Sequence, residues 1–116
     1  MRFLMVHRTD EQAEQTPDPE FFGNLDAMIK DWTERGILIT AEGVHPSARG
    51  ATVRKTRGAA ITAVDGPFTE AKEVIGGFAL INAADKTEAI TYAKQYADLF
   101  DDIHIEVREI WDEPPA

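Results

Sequence analysis

The order in which two helical patterns alternate with short strand-like runs is the feature that most constrains the fold of this chain. The first helical pattern follows Asp18, an N-cap residue, and Pro19. Proline suits the first helical turn because the N–H groups there have no partner within the helix, and proline has no N–H to leave unpaired. It ends before Gly36, the residue type best able to take the left-handed conformation that closes a helix. Apolar side chains at spacings of three and four line one face of this helix: Phe22, Leu25, Met28, Ile29 and Trp32.

The second helical pattern starts at Asp85, and Glu88 three residues later completes the spacing of a capping box. Its apolar face is formed by Ala89, Ile90, Ala93, Ala97 and Phe100. Both segments are therefore predicted to be amphipathic helices that pack against another layer.

Short apolar runs at 3–6, 37–41 and 77–82 predict strands on either side of these helices. A fourth strand is predicted where Ile103, Ile105 and Val107 alternate with polar residues, because this period of two gives a strand two unlike faces. One face can pack on the helices, and the other must meet water, a ligand cavity or a second subunit. Runs at 51–55 and 60–64 flank Gly58 and predict an inserted hairpin.

This order predicts an α+β fold, a ferredoxin-like βαββαβ sandwich with an inserted β-hairpin. Right-handed crossovers place both helices on one face of the sheet and leave the other face uncovered. Ile110 and Trp111 lie near that face, so we expect a homodimer. His7 and His104 are expected on outer strands.

Length and composition set limits on the class of protein. A chain of 116 residues predicts a single domain over 1–116, with residues 112–116 as a short acidic tail and 9–16 as an exposed loop. The formal net charge of -9 disfavours direct binding to nucleic acid. The absence of cysteine excludes disulfides and thiolate chemistry, and neither a secretion signal nor a membrane span is recognisable. We therefore expect a cytoplasmic protein.

The segments VDGPFTEAKE at 64–73 and IGGF at 75–78 resemble the signature of the DGPF-domain, or YCII-related, family. The segments AEGV at 41–44, with Pro46 after it, and TVR at 52–54 are also similar to this family, and the resemblance covers about residues 1 to 110. It implies a dimeric α/β barrel, in which two sheets face each other and enclose a cavity. The wider superfamily includes small isomerases and cofactor-free monooxygenases.

Some YCII-like relatives carry a His and Asp pair proposed to act as acid and base, with the His early in the first helix. Here Glu20, Phe21 and Phe22 occupy that region, and no His lies between His7 and His45. That pair therefore does not carry over to this chain.

Two residues are candidates for catalysis. Asp65, between a strand and Gly66-Pro67, can act as a general base, or it can accept backbone N–H groups and fix a turn. His45 lies three residues after Glu42, and a carboxylate at that distance can tune the imidazole pKa toward the range useful for proton transfer. His45-Pro46 can equally be only loop.

The remaining candidates concern substrate binding. Phe68 suits a core position or a ligand stacker, and Glu42 can line the site beside His45. Glu70, Lys72 and Glu73 form a charged turn that can line a cavity mouth or simply lie in solvent. No histidine pair has the helical spacing of known metal motifs, and no phosphate loop or dinucleotide fingerprint is present, so neither metal nor cofactor is predicted.

Two functions remain open on this basis. One is a cofactor-free enzyme that moves a proton on a small organic substrate, with Asp65 or His45 as the acting group. The other is a non-catalytic ligand-binding or protein-interaction dimer, and the resemblance links it to transcription regulation through sigma-factor systems.

Overall fold

A computed structural model describes residues 1–13 and 17–112, and its elements follow the predicted order. The expected loop over 9–16 and tail over 112–116 lie partly outside the described residues. The elements are β1 (Arg2–Thr9), α1 (Pro19–Glu34), β2 (Leu38–Gly43), a 3-10 turn (Ser47–Arg49), β3 (Ala51–Arg54), β4 (Thr62–Asp65), β5 (Val74–Asn82), α2 (Lys86–Ala97) and β6 (His104–Glu109).

The four main strands form one antiparallel sheet in the order β2-β5-β1-β6. This is the ferredoxin-like order, so the predicted fold class is confirmed, and the sheet of the single chain is open. The expectation that His7 lies on an outer strand is wrong, because the first strand of this topology is flanked by β5 and β6. His104 does lie on the edge strand β6.

The helix boundaries follow the predicted caps. The Asp18 carboxylate accepts a hydrogen bond from the Phe21 N–H at 2.8 Å, and Gly36 has a φ of 73° after the last turn of α1. The Asp85 carboxylate accepts from the Glu88 N–H at 2.9 Å. The Glu88 carboxylate accepts a hydrogen bond from the Ala84 N–H at 3.2 Å. A capping box would instead pair it with the N–H of Asp85, one residue later.

The core lies between the sheet and the two helices. Alternate side chains of β1 are buried there, with Phe3 and Met5 each only 2% exposed, and Ile105 and Val107 of β6 pack beside them. The predicted division of β6 into two faces is thereby confirmed. The other buried core residues are Trp32, Ile37, Ile81, Ala83, Ala89 and Ala93.

Neither α1 nor α2 covers the opposite face of the sheet, as predicted. Leu4 is opposite Leu80 on β5, and Val6 is opposite Phe78, so these side chains alternate with those of the core. Phe78 remains 37% exposed. We call this surface the uncovered sheet face.

The predicted hairpin forms a separate two-stranded sheet of β3 and β4. Gly58 in its connection has a φ of 79°, which only glycine adopts readily. We call residues 48–65 the arm.

Neither helix in residues 1–13 and 17–112 has the length and apolar character needed to cross a membrane.

Candidate functional site

A cavity of about 450 Å³ lies between α1 and the helix-covered face of the sheet. Its volume falls in the range of typical small-molecule sites. We call it the helix-side pocket. Apolar side chains from α1 and the sheet form much of its wall, among them Met5, Leu25, Met28, Ile29 and Trp32.

A histidine and a tyrosine form a polar pair at one end of this pocket. The Nδ1 atom of His7, on β1, lies 3.1 Å from the Tyr96 hydroxyl, on α2. Burial lowers the pKa of His7 below its ordinary value of 6.5 and raises the pKa of Tyr96 above 10.0. Both groups are therefore neutral at pH 7, and a neutral imidazole can accept a proton.

The two glycines of the family-like signature shape the floor beside this histidine. A β-bulge interrupts the β1–β5 pairing after His7, at Gly76. A Cβ atom at Gly76 would lie 3.4 Å from His7 Nε2, and a Cβ at Gly77 would lie 2.8 Å from the carbonyl oxygen of Glu42. Gly76 therefore leaves room at the imidazole edge, and Gly77 allows β2 to approach β5 closely.

Aromatic rings close the pocket around the imidazole. The Phe100 ring meets the His7 ring edge-to-face at a centroid distance of 5.0 Å. Phe100 also contacts Tyr96 at 5.1 Å and Phe21 of α1 at 4.9 Å, both edge-to-face. This geometry is favourable between rings, and it ties α1, β1 and the end of α2 together.

The charged groups of the pocket have one sign. Glu11 and Glu42 belong to its lining, whereas no lysine or arginine does among residues 1–13 and 17–112. Thr9, His7 and His45 supply further polar atoms. This lining disfavours anionic ligands and suits neutral or cationic ones.

A hydrogen-bonded junction joins the pocket mouth to the segment around Pro67. The Ser47 hydroxyl and the Ser47 N–H both donate to the Glu11 carboxylate, the latter at 2.9 Å, and the hydroxyl accepts from the Phe68 N–H at 2.9 Å. The side-chain and then the backbone bond from Ser47 lower the pKa of Glu11. We call Glu11, Ser47 and Phe68 the junction.

Gly66 is required where the junction meets the arm. A Cβ atom at position 66 would overlap the carbonyl oxygen of Ser47 and lie 2.7 Å from its carbonyl carbon. The Gly66 N–H donates to the Gly50 carbonyl at 2.9 Å, and the peptide bond to Pro67 is cis. This close packing gives the segment a structural role.

The sequence model of the YCII-related domain family matches residues 1–113, which is nearly the whole chain. The protein belongs to the YCII-related domain family. The resemblance read from the signature is thereby confirmed. A curated relative, an uncharacterised protein of Rhizobium meliloti (strain 1021), is 33% identical over 81 residues. That alignment covers 70% of this chain and 64% of the relative, so the chain spans less than two thirds of the relative's length.

The predicted catalytic residues of this YCII-related protein lie in different places. Asp65 ends β4 opposite Ala51, is exposed, and lines neither of the two best-formed cavities. Its carboxylate accepts no hydrogen bond within residues 1–13 and 17–112, so the predicted turn-fixing bonds are not seen there, and its role as a general base stays a prediction. His45 and Glu42 both line the helix-side pocket, although no hydrogen bond joins them in the described part of the chain. Their catalytic and binding roles stay predictions.

The predicted binding residues around the signature are also separated. Phe68 and Glu73 line a more open groove beside the 3-10 turn, and His45 borders both this groove and the helix-side pocket. The Glu73 carboxylate is 3.2 Å from Nδ1 of His104 on β6. Glu70 and Lys72 are exposed in the loop after Phe68 and line neither cavity.

Sequence reasoning did not single out His7, Tyr96, Glu11 or Ser47 as a site. For two of them a signal was present. His7 continues the alternation of Phe3 and Met5, which places it on the core face, and Tyr96 lies seven residues after Ala89, on the apolar face of α2. The junction had no such signal, because Glu11 and Ser47 are 36 residues apart.

Proposed function

We propose that this YCII-related protein is an enzyme that moves a proton on a small, mainly apolar organic molecule bound in the helix-side pocket. The His7–Tyr96 pair carries the proposal, since it is a neutral imidazole held by a hydroxyl at the end of an apolar cavity. A general base requires a site near its substrate and a pKa close to the working pH.

In this proposal Nδ1–H of His7 donates to the Tyr96 oxygen, which leaves Nε2 beside Gly76 as the free acceptor. Nε2 takes a proton from a weakly acidic C–H or O–H group of the ligand and returns it to another atom of the same molecule. Tyr96 holds the imidazole in the correct tautomer and orientation, so it is a positioning residue.

The lining supports a particular ligand class. Its carboxylates, Glu11 and Glu42, repel anions, and the rings of Phe21, Tyr96 and Phe100 favour a flat apolar partner. We therefore propose a neutral or cationic ring-containing ligand with one hydrogen-bonding group.

Three one-ring compounds test the ligand class. Benzyl alcohol, benzylamine and benzoate differ mainly in the charge of one substituent, and chemical-shift changes of pocket residues report binding. We expect the alcohol and the amine to shift the signals of Met28 and His7, and benzoate to do so weakly or not at all. Preferential binding of benzoate would contradict the proposed charge selectivity.

Proton transfer is tested without knowing the natural substrate. The probe is 2-indanone, a neutral ketone whose five-membered ring is fused to an aromatic ring and carries activated C–H groups, and NMR follows their exchange in D₂O. We expect the wild-type protein to accelerate exchange and His7→Asn to lose that acceleration. His104→Asn, which alters an exposed histidine outside the pocket, is the matched control and should behave as wild type.

A second candidate function is non-catalytic ligand binding in the same pocket, favoured by its largely apolar lining. If the probes bind but exchange is not accelerated, this function stands and proton transfer is refuted. A transcription-linked protein partner, which the resemblance implied, stays a prediction.

We also propose that a second copy covers the uncovered sheet face and forms the expected homodimer. Its apolar side chains, Leu4, Val6, Leu80 and Phe78, support this contact. Leu80→Lys should weaken the dimer in sedimentation experiments. A wild-type monomer at micromolar concentration would rule the dimer out.

A further inference from the structure

The arm is exposed along its whole length. Every residue from 48 to 65 is exposed, and three branched apolar side chains are largely in solvent: Val53 at 68%, Ile61 at 64% and Val64 at 64%. An isolated two-stranded hairpin is marginally stable in water, so a covering surface would stabilise it. Residues 1–13 and 17–112 of the single chain do not supply that surface.

The arm also differs in charge from the rest of the molecule. Its cations are Arg49, Arg54, Lys55 and Arg57, and its single acidic residue is Asp65 at the end of β4. The remainder of the chain holds 8 of the 12 cations and 20 of the 21 acidic residues, which is a net charge of -12. The arm is thus a basic and apolar surface on a strongly acidic protein.

The helix α1 offers the complementary surface. It carries Glu20, Asp26, Asp31 and Glu34 against the cation Lys30, and Arg35 directly after the helix pairs with Asp31 at 3.0 Å. All four carboxylate residues are exposed, and the apolar side chain of Phe22 beside them is 53% exposed. An acidic helix with an exposed ring matches the arm in charge and in polarity.

We propose that the arm of one copy docks on α1 of a second copy of this chain. Each copy carries both surfaces, so two copies can exchange arms reciprocally about a two-fold axis. Because α1 also forms the outer wall of the helix-side pocket through Leu25 and Met28, the docked arm lies outside that wall. The contact does not depend on the proposed enzymatic function.

Charge reversal on each surface tests the contact. The arm-reversed variant is Arg54→Glu with Arg57→Glu, and the helix-reversed variant is Asp26→Lys with Glu34→Lys. We expect each to weaken self-association by about 100-fold or more in sedimentation velocity at low salt, since like charges then face each other. An equimolar mixture should restore association, because both contacts between unlike variants are again attractive.

The matched control is Lys86→Glu with Lys94→Glu on α2. It changes the net charge as much as the arm-reversed variant does, and it should associate like wild type. Circular dichroism checks that every variant is folded. If one variant is not folded, the salt dependence of wild-type self-association still tests the proposal. Association through this contact should weaken as NaCl rises from about 50 to 500 mM, because salt screens the attraction between the two surfaces.

Four results would overturn the proposal. They are a monomeric wild type at all concentrations, unchanged association of the arm-reversed variant, a mixture that does not restore association, and salt-independent association. The second is the result expected for a dimer held only by the uncovered sheet face. A monomeric protein that binds labelled duplex DNA through Arg54 and Arg57 would instead identify nucleic acid as the partner of the arm.

Discussion

Replacing Gly66 with alanine tests the structural role of the family signature. The new Cβ would overlap the Ser47 carbonyl oxygen and lie 2.7 Å from its carbon, where ordinary contacts begin near 3.4 Å. Both atoms belong to the backbone, so no side-chain rotation relieves the overlap. Overpacking of this kind costs about 1 to 3 kcal/mol.

Moving the backbone also affects two hydrogen bonds. These join the Gly66 N–H to the Gly50 carbonyl and the Phe68 N–H to the Ser47 hydroxyl, both at 2.9 Å. At about 1 kcal/mol for each bond, Gly66→Ala should lower the free energy of unfolding by roughly 3 to 5 kcal/mol in total. For a chain of this length that is a fall in Tm of roughly 10 to 20 °C.

Urea unfolding and amide hydrogen exchange together measure this effect. If the arm detaches locally, the loss in global stability is smaller, but the amide protection of Gly66 and Phe68 still disappears. Gly23→Ala is the matched control, because no atom lies within 4 Å of its new Cβ. In the interior of α1 it should stabilise the protein by about 0.5 to 1 kcal/mol. A Gly66→Ala protein that is as stable as wild type and keeps both protected amides would refute the reasoning.

Three further predictions follow from the hydrogen bonds and pKa shifts. Ser47→Ala leaves the Phe68 N–H without its acceptor, so urea unfolding should show a loss of about 1 to 3 kcal/mol. The Glu11 pKa, read by NMR titration, should rise because its largest lowering interaction is removed, and an unchanged pKa would contradict the junction. Asp18→Ala removes the cap of α1 and should cost about 1 kcal/mol by the same unfolding assay, whereas the exposed Asp26→Ala should cost less; equal effects would argue against the cap. The lowered pKa of His7 means that its contribution to stability is complete above pH 6.5 and is lost as the pH falls through the folded-state pKa. As the pH falls below 6.5, wild type should therefore lose stability relative to His7→Asn. A difference in stability that does not change with pH would contradict the burial of the imidazole.

The sequence was sufficient for the architecture because the signals for it are local. Asp18, Gly36 and Asp85 act on their own helix ends, and the alternation around Ile105 depends only on neighbouring positions. Boundaries shifted by up to three residues where pairing with another strand decides them, as at the starts of β4 and β5. The place of β1 between β5 and β6 depends on pairing with strands that are distant in the sequence, and the assignment of β1 to an outer strand was wrong.

The candidate site was only partly accessible from the sequence. His45 and Glu42 were singled out by their spacing, and both line the helix-side pocket. Asp65 was singled out by its place in the signature, yet it lies on the arm and lines neither cavity. The signature residue with the clearest structural cause is Gly66, whose role depends on a carbonyl group 19 positions earlier in the chain.

The sequence alone therefore determined the fold class and the family of this protein, since periodicity, caps and the signature are written in neighbouring residues. Only the tertiary structure brought His7 to Tyr96 and Glu11 to Ser47, which are 89 and 36 residues apart. It also showed that the hairpin is a separate, exposed and basic arm. Contacts between distant segments depend on how the layers pack, and local patterns of apolar and polar residues do not specify which polar groups that packing brings together.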